Sequence, residues 1–107
     1  MSRYIQVATT IDKKKKAELL ARRLLEQRLV ACVQITACDS IYHWQGRIEQ
    51  GSEYLCLMKT RADLLPMLEE AIKELHSYEV PEILATPILS AGTAYRQWLE
   101  KELAGKE

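Results

Sequence analysis

Two long β-rich runs, residues 31–44 and 47–60, flank a Gln45-Gly46 dipeptide that reads as a two-residue hairpin turn. The spacing predicts one antiparallel hairpin with arms of fourteen residues, where a strand usually runs to about 5–6. In that register Trp44 faces Arg47, Ile35 faces Cys56 and Cys32 faces Lys59. The second arm carries five consecutive apolar residues, Tyr54-Leu55-Cys56-Leu57-Met58. Side chains alternate between the two faces of a strand, so such a run requires burial on both. Arms this long also overhang a domain of 107 residues, far enough to reach a neighbouring subunit.

The flanking segments complete an order. Residues 4–8 alternate and read as a first strand. Asp12 is placed to cap a helix whose apolar positions Ala17, Leu20, Ala21, Leu24 and Leu25 recur at helical spacing. Asp63 is placed to cap a second helix, with Pro66 in its first turn and a buried stripe of Leu64, Leu68, Ala71, Ile72 and Leu75. Residues 82–88 make a last strand bounded by Pro81 and Pro87. Thr93 starts a third helix with Tyr95, Trp98, Leu99 and Leu103 on its apolar side. The sum is βαββαβ plus a helix, an α+β class in which two helices cover one face of an antiparallel sheet. The opposite face would be polar in a monomer. The run at 54–58 says otherwise, and self-association supplies the missing cover.

The length bounds the chain to a single domain, residues 1–107. Fifteen basic and fifteen acidic residues cancel, removing the electrostatic case for nucleic acid or an anionic membrane. Locally the charges separate: residues 12–28 hold seven cations against three acids, and 49–82 eight acids against three cations. No apolar stretch approaches the ~20 residues of a membrane span and no signal-peptide pattern opens the chain, so the expectation is a cytoplasmic protein. Three cysteines exclude a complete intramolecular disulfide set. Cys32 and Cys38 lie roughly 20 Å apart along one strand, and Cys56 faces Ile35, so reduced thiols are expected.

Residues 76–88 run His-Ser-Tyr-Glu-Val-Pro-Glu-Ile-Leu-Ala-Thr-Pro-Ile. Pro81 fixes its own φ and pushes Val80 towards extended geometry, so the chain turns there and enters a strand. With Ala-Cys-Val at 31–33, Ile-Tyr-His-Trp-Gln-Gly at 41–46, Lys-Thr at 59–60 and the late Tyr95 and Trp98, this stretch resembles the CutA family, the divalent-cation tolerance proteins. The resemblance runs through nearly the whole chain. It implies a ferredoxin-like fold, a homotrimer whose sheets pack at the centre, and a non-enzymatic role in the response to divalent metal ions, copper foremost. Family members assigned a copper site use a cysteine on the first strand and two adjacent histidines after the second helix. Those positions here hold Ala8, Leu75 and His76, and only His76 matches.

Several side chains are candidates for chemistry. His76, with Glu79 and Glu82 nearby, supplies part of a Cu2+ or Zn2+ ligand set that a second subunit would complete. Alternatively it caps the carbonyl end of the second helix. Cys32 is either a soft ligand, its thiol activated by Lys59, or a small buried thiol. His43 projects away from Tyr42 and Trp44 at the hairpin tip, and those two aromatics share a face suited to a subunit contact. Lys13 to Lys16 open a helix, where a cation run reads either as a solvated face or as an anion attractor. Cys32, Lys59, Tyr78, Glu82 and Trp98 are candidates to line an intersubunit cleft for a small ligand, the basis of a second reading as a small-molecule-sensing trimer. Gly-rich phosphate loops, His-Glu-x-x-His and Gly-x-Ser-x-Gly are absent from the sequence, so no enzyme template is met.

Overall fold

A computed structural model gives the structure, described here for residues 3–105. Its elements are β1 (Tyr4–Ile11), α1 (Lys14–Glu26), β2 (Cys32–Trp44), β3 (Arg47–Arg61), α2 (Leu65–Leu75), β4 (Leu84–Pro87) and α3 (Thr93–Leu103), with a 3-10 turn at Ala62–Leu64 leading into α2. The four strands form one sheet in the order β2-β3-β1-β4, every pair antiparallel.

The hairpin has the expected register: Trp44 pairs with Arg47, Ile35 with Cys56 and Cys32 with Lys59. Gln45 and Gly46 both take positive φ, 50° and 78°, the primed turn that matches the twist of the arms. Thirteen residues of β2 span about 43 Å at ~3.3 Å each. That is nearly the whole 44 Å long axis of the domain, so the hairpin sets its length. Residues 41–48 at its tip are all exposed, among them Ile41, Tyr42, Trp44 and Ile48.

Alternation along β3 divides the sheet's two faces. Cys56, Met58 and Thr60 are fully buried, and the first two join Ile5, Val7 and Ile11 of β1 beneath Ala17, Leu20 and Leu24 of α1 and Leu68 and Ile72 of α2. Leu55, Leu57 and Lys59 point to the opposite face and stay half-buried. Their neighbours across the ladders are Thr10, Ala8 and Gln6 on β1 and Thr36, Gln34 and Cys32 on β2. A smaller core at the end of the sheet seats α3, with Leu99 and Leu103 against Tyr4, Ala31 and Leu64. Two guanidiniums hold the carbonyl end of α3: Arg28 donates to the Glu102 carbonyl at 2.8 Å and Arg61 to that of Leu103 at 3.1 Å. Cations there complement the helix dipole as well as satisfying orphan carbonyls.

Several expectations need correction. Lys13, not Asp12, stands at the cap of α1, and no side chain caps it; Asp12 pairs with Lys16 at 3.5 Å instead. Asp63 likewise caps nothing. It lies inside the 3-10 turn and binds the Arg61 side chain at 2.7 Å, while Leu64 stands at the cap of α2. In both cases a neighbouring cation takes the carboxylate that the first-turn amides would have used. Pro66 does sit in the first turn of α2. Leu25 is exposed, one helical step off the buried stripe, and β1 runs on to Ile11. The last strand is four residues, Leu84–Pro87, pairing with Ala8, Val7, Gln6 and Ile5 of β1. Tyr95 and Trp98 are 43 % and 39 % exposed, and Leu99 and Leu103 alone carry the buried side of α3.

All three cysteines are free. Burial pushes the Cys56 thiol up to about 11, which keeps it protonated and inert. Alkylation under denaturing, non-reducing conditions is expected to add three labels per chain by intact mass. Loss of two labels would mean an internal disulfide and a different register.

Candidate functional site

His76 is the residue at which α2 ends. Its amide closes the last helical turn on the Ile72 carbonyl at 2.8 Å, and its side chain turns inward to 8 % exposure. Nε2 lies 2.8 Å from the Thr10 carbonyl oxygen, and Nδ1 lies 3.0 Å from the Tyr78 amide nitrogen. A carbonyl only accepts and an amide N–H only donates, so Nε2 carries the proton and Nδ1 the lone pair. The geometry itself therefore fixes a neutral imidazole in one tautomer. Burial pulls its pKa below the ordinary 6.5, against the opposing pull of the Thr10 carbonyl and of the Asp12 and Glu53 carboxylates.

Tyr78 continues the network. Its ring packs on His76 with centroids 4.8 Å apart, and its hydroxyl donates to Glu53 Oε2 on β3 at 2.6 Å. Burial and that bond to a carboxylate both push the phenol pKa upward, so the proton stays on Tyr78. The corner ties the loop after α2 to β1 through Thr10 and to β3 through Glu53. Glu79 and Glu82 are exposed on the way to β4. Among the described residues, no group of three or more His, Cys, Asp and Glu side chains has the geometry to hold a metal. A metal at His76 must therefore displace the Thr10 carbonyl or the Tyr78 amide and take its other ligands from elsewhere. Ala8, on the open sheet face, and Leu75, half-buried beside the core, offer none.

A second polar cluster lies at the other end of β3. Cys32 Sγ is 3.7 Å from the Tyr95 hydroxyl of α3, and the Tyr95 and Trp98 rings lie 5.4 Å apart. Lys59, across the ladder from Cys32, donates to the Gln34 side chain. The Tyr95 phenol is pushed up by burial and then by its thiol neighbour. Three of the five cleft candidates, Cys32, Lys59 and Trp98, thus cluster here in one chain. Tyr78 does not join them: its partner Glu53 is six positions along β3 from Lys59, about 20 Å at ~3.3 Å per residue. Glu82 stands apart as well. The sequence marks Tyr95 as a family position on the apolar side of the third helix but not as a partner of Cys32, and it singles out neither Gln34 nor Glu53. Gln34 is accessible from the register, diagonal to Lys59; no local signal marks Glu53.

A β2-β3-β1-β4 antiparallel sheet with α1 and α2 on one face defines a ferredoxin-like α+β domain. The comparisons then narrow it. The profile of the CutA1 divalent ion tolerance protein family matches residues 5–102. The divalent-cation tolerance protein CutA of Thermus thermophilus is 42 % identical over 96 residues, 89 % of this chain and 93 % of its own length. The human protein CutA is 40 % identical over 86 % of this chain, which spans 52 % of that longer relative. Among solved structures, CutA from Synechococcus elongatus superposes with a TM-score of 0.93 at 33 % identity, covering 96 % of this chain and 92 % of its own. CutA1 from Pyrococcus horikoshii gives 0.89 at 38 % identity, covering 92 % and 96 %. The chain belongs to the CutA family of divalent-cation tolerance proteins.

Proposed function

We propose that the chain acts as a non-enzymatic homotrimer in divalent-cation tolerance, binding a divalent ion, Cu2+ or Zn2+, in the cytoplasm. The observation that carries the assembly is the open sheet face. Leu55, Leu57 and Ala8 lie there without a covering helix, and the hairpin extends past the domain with apolar side chains exposed at its tip. Packing three such faces together removes that area from water, the dominant favourable term in association. Free thiols at all three cysteines support a reducing compartment.

The metal role rests on family membership and on His76, the one position matching a family ligand. Binding there requires a neutral imidazole, and burial holds the His76 pKa below 6.5, so affinity is expected to fall as pH drops beneath that value. Titrating untagged protein with Cu2+ or Zn2+ tests it. His76→Ala is expected to weaken binding more than roughly tenfold, with the trimer mass unchanged, and metal is expected to shift the Tyr78 amide resonance as Nδ1 is taken. Equal affinity in the variant removes His76 from the site and leaves Cys32 or adventitious surface groups to account for any metal bound.

The cluster of Cys32, Lys59 and Trp98 beside Tyr95 supports a second reading, a trimer sensing a small molecule in a cleft that a neighbour's Tyr78 and Glu82 would complete. A metabolite-induced rise in melting temperature that Trp98→Ala abolishes, with no metal present, favours this reading over the first.

A further inference from the structure

We infer that the cleft between the start of β1 and the first turns of α3 is a binding site for a small organic anion, a carboxylate or phosphate on a compact apolar body. The cleft encloses about 670 Å³ and is lined by Arg3, Tyr4, Ile88, Leu89, Ser90 and Arg96, with Glu100 at its edge. That volume falls within the ~300–1,000 Å³ of small-ligand pockets. It shares none of the side chains of the His76 and Cys32 clusters.

Four features converge on an anion. Arg96 makes no ion pair among the described residues, so its guanidinium stands in the cleft without a carboxylate partner. Arg3 lies over the Tyr4 ring, 5.5 Å from its centroid, and meets Glu100 at 3.6 Å in an exposed pair that water screens. Two cations against one carboxylate leave the lining positive. Ser90 and Ala91 carry the chain into α3, whose first turn has no side-chain cap; its first helical amide bond runs from Arg96 to the Gly92 carbonyl at 2.9 Å. The earlier amides therefore have no acceptor within the helix and add a positive dipole end. Tyr4, itself only 7 % exposed, forms the inner wall, and its hydroxyl has no partner among the described residues.

The rest of the lining is apolar and fixed. The Ile88 amide donates to the Tyr4 carbonyl at 3.0 Å, pinning the segment after β4 to β1. Leu89 is 97 % exposed at the rim, where a ligand's apolar body would cover it. A guanidinium fork matches both carboxylate and phosphate in bidentate geometry, so the charged group's identity is left to measurement.

Benzoate and phenyl phosphate are suitable probes, added separately to 15N-labelled full-length protein. Saturable shifts are expected in the Ser90 to Arg96 amides with one or both probes, and their ranking identifies the preferred anion. Arg96→Ala is expected to weaken binding by roughly tenfold and Arg96→Lys by less, since Lys keeps the charge but loses the fork. Arg96 is exposed, so both variants should leave resonances elsewhere in place. Absence of saturable shifts up to about 10 mM probe, shifts confined to Lys13–Lys16, or unchanged affinity in Arg96→Ala would each overturn the assignment.

Discussion

Leu57→Asp is expected to turn the proposed trimer into folded monomers. Leu57 lies in the middle of the open face, between Ala8 on β1 and Gln34 on β2, and is half-buried with no helix above it. An uncompensated carboxylate in a packed interface costs several kcal/mol, and in a threefold assembly the charges also face one another. The domain's own core lies behind the sheet, where Cys56 and Met58 flank position 57 and remain buried against α1 and α2. The variant can thus keep its fold while losing its partners. Light scattering is expected to give three 12.3 kDa subunits for the parent and one for the variant, with unchanged far-ultraviolet circular dichroism. A parent protein with the mass of one subunit at micromolar concentration would refute the assembly. An intact trimer in the variant would place the interface elsewhere.

His76 is expected to make stability fall as pH drops below about 6.5, and its replacement to be costly at neutral pH. In the native state Nδ1 must accept the Tyr78 amide proton, so protonation sets two donors against each other in a buried site. The unfolded chain has no such constraint and takes up the proton near 6.5. With the folded pKa depressed, the stabilisation is complete above the unfolded value and declines with falling pH until the folded value is passed. His76→Ala leaves the Thr10 carbonyl and the Tyr78 amide unpaired and opens a cavity, together on the order of 3 kcal/mol. His76→Gln can restore a donor and an acceptor without titrating. Denaturant unfolding between pH 7 and 5 is expected to show a steeper loss for the parent than for His76→Gln. Parallel slopes would mean that His76 titrates alike in both states and that the corner is open to water.

Much of the architecture was legible because it depends on spacing alone. The Gln45-Gly46 turn fixes the hairpin register, and once it is set every pair from Cys32–Lys59 to Trp44–Arg47 follows from the two-residue period of a strand. Ala17, Leu20, Ala21 and Leu24 mark the buried stripe of α1 by helical repeat, and Leu25 falls just outside it. The caps depart from expectation for a local reason too. Asp12 and Asp63 are sound cap residues by type, but Lys16 and Arg61 lie within reach and hold their carboxylates.

The sequence alone determined the hairpin, the order of elements, the two-sided apolar strand and the kinship with CutA, all properties of residues read a few positions apart. Tertiary structure decided the chemistry of the corners. His76 meets the Thr10 carbonyl across 66 positions, Cys32 meets Tyr95 across 63, and Tyr78 rather than a metal-ligating carboxylate fills the place beside His76. A period of two or of 3.6 residues says which face a side chain takes, but not which distant loop returns to it. That choice is made by the packing of α2 and α3 against the sheet, where buried polar atoms must find partners from whatever segment the closed chain delivers.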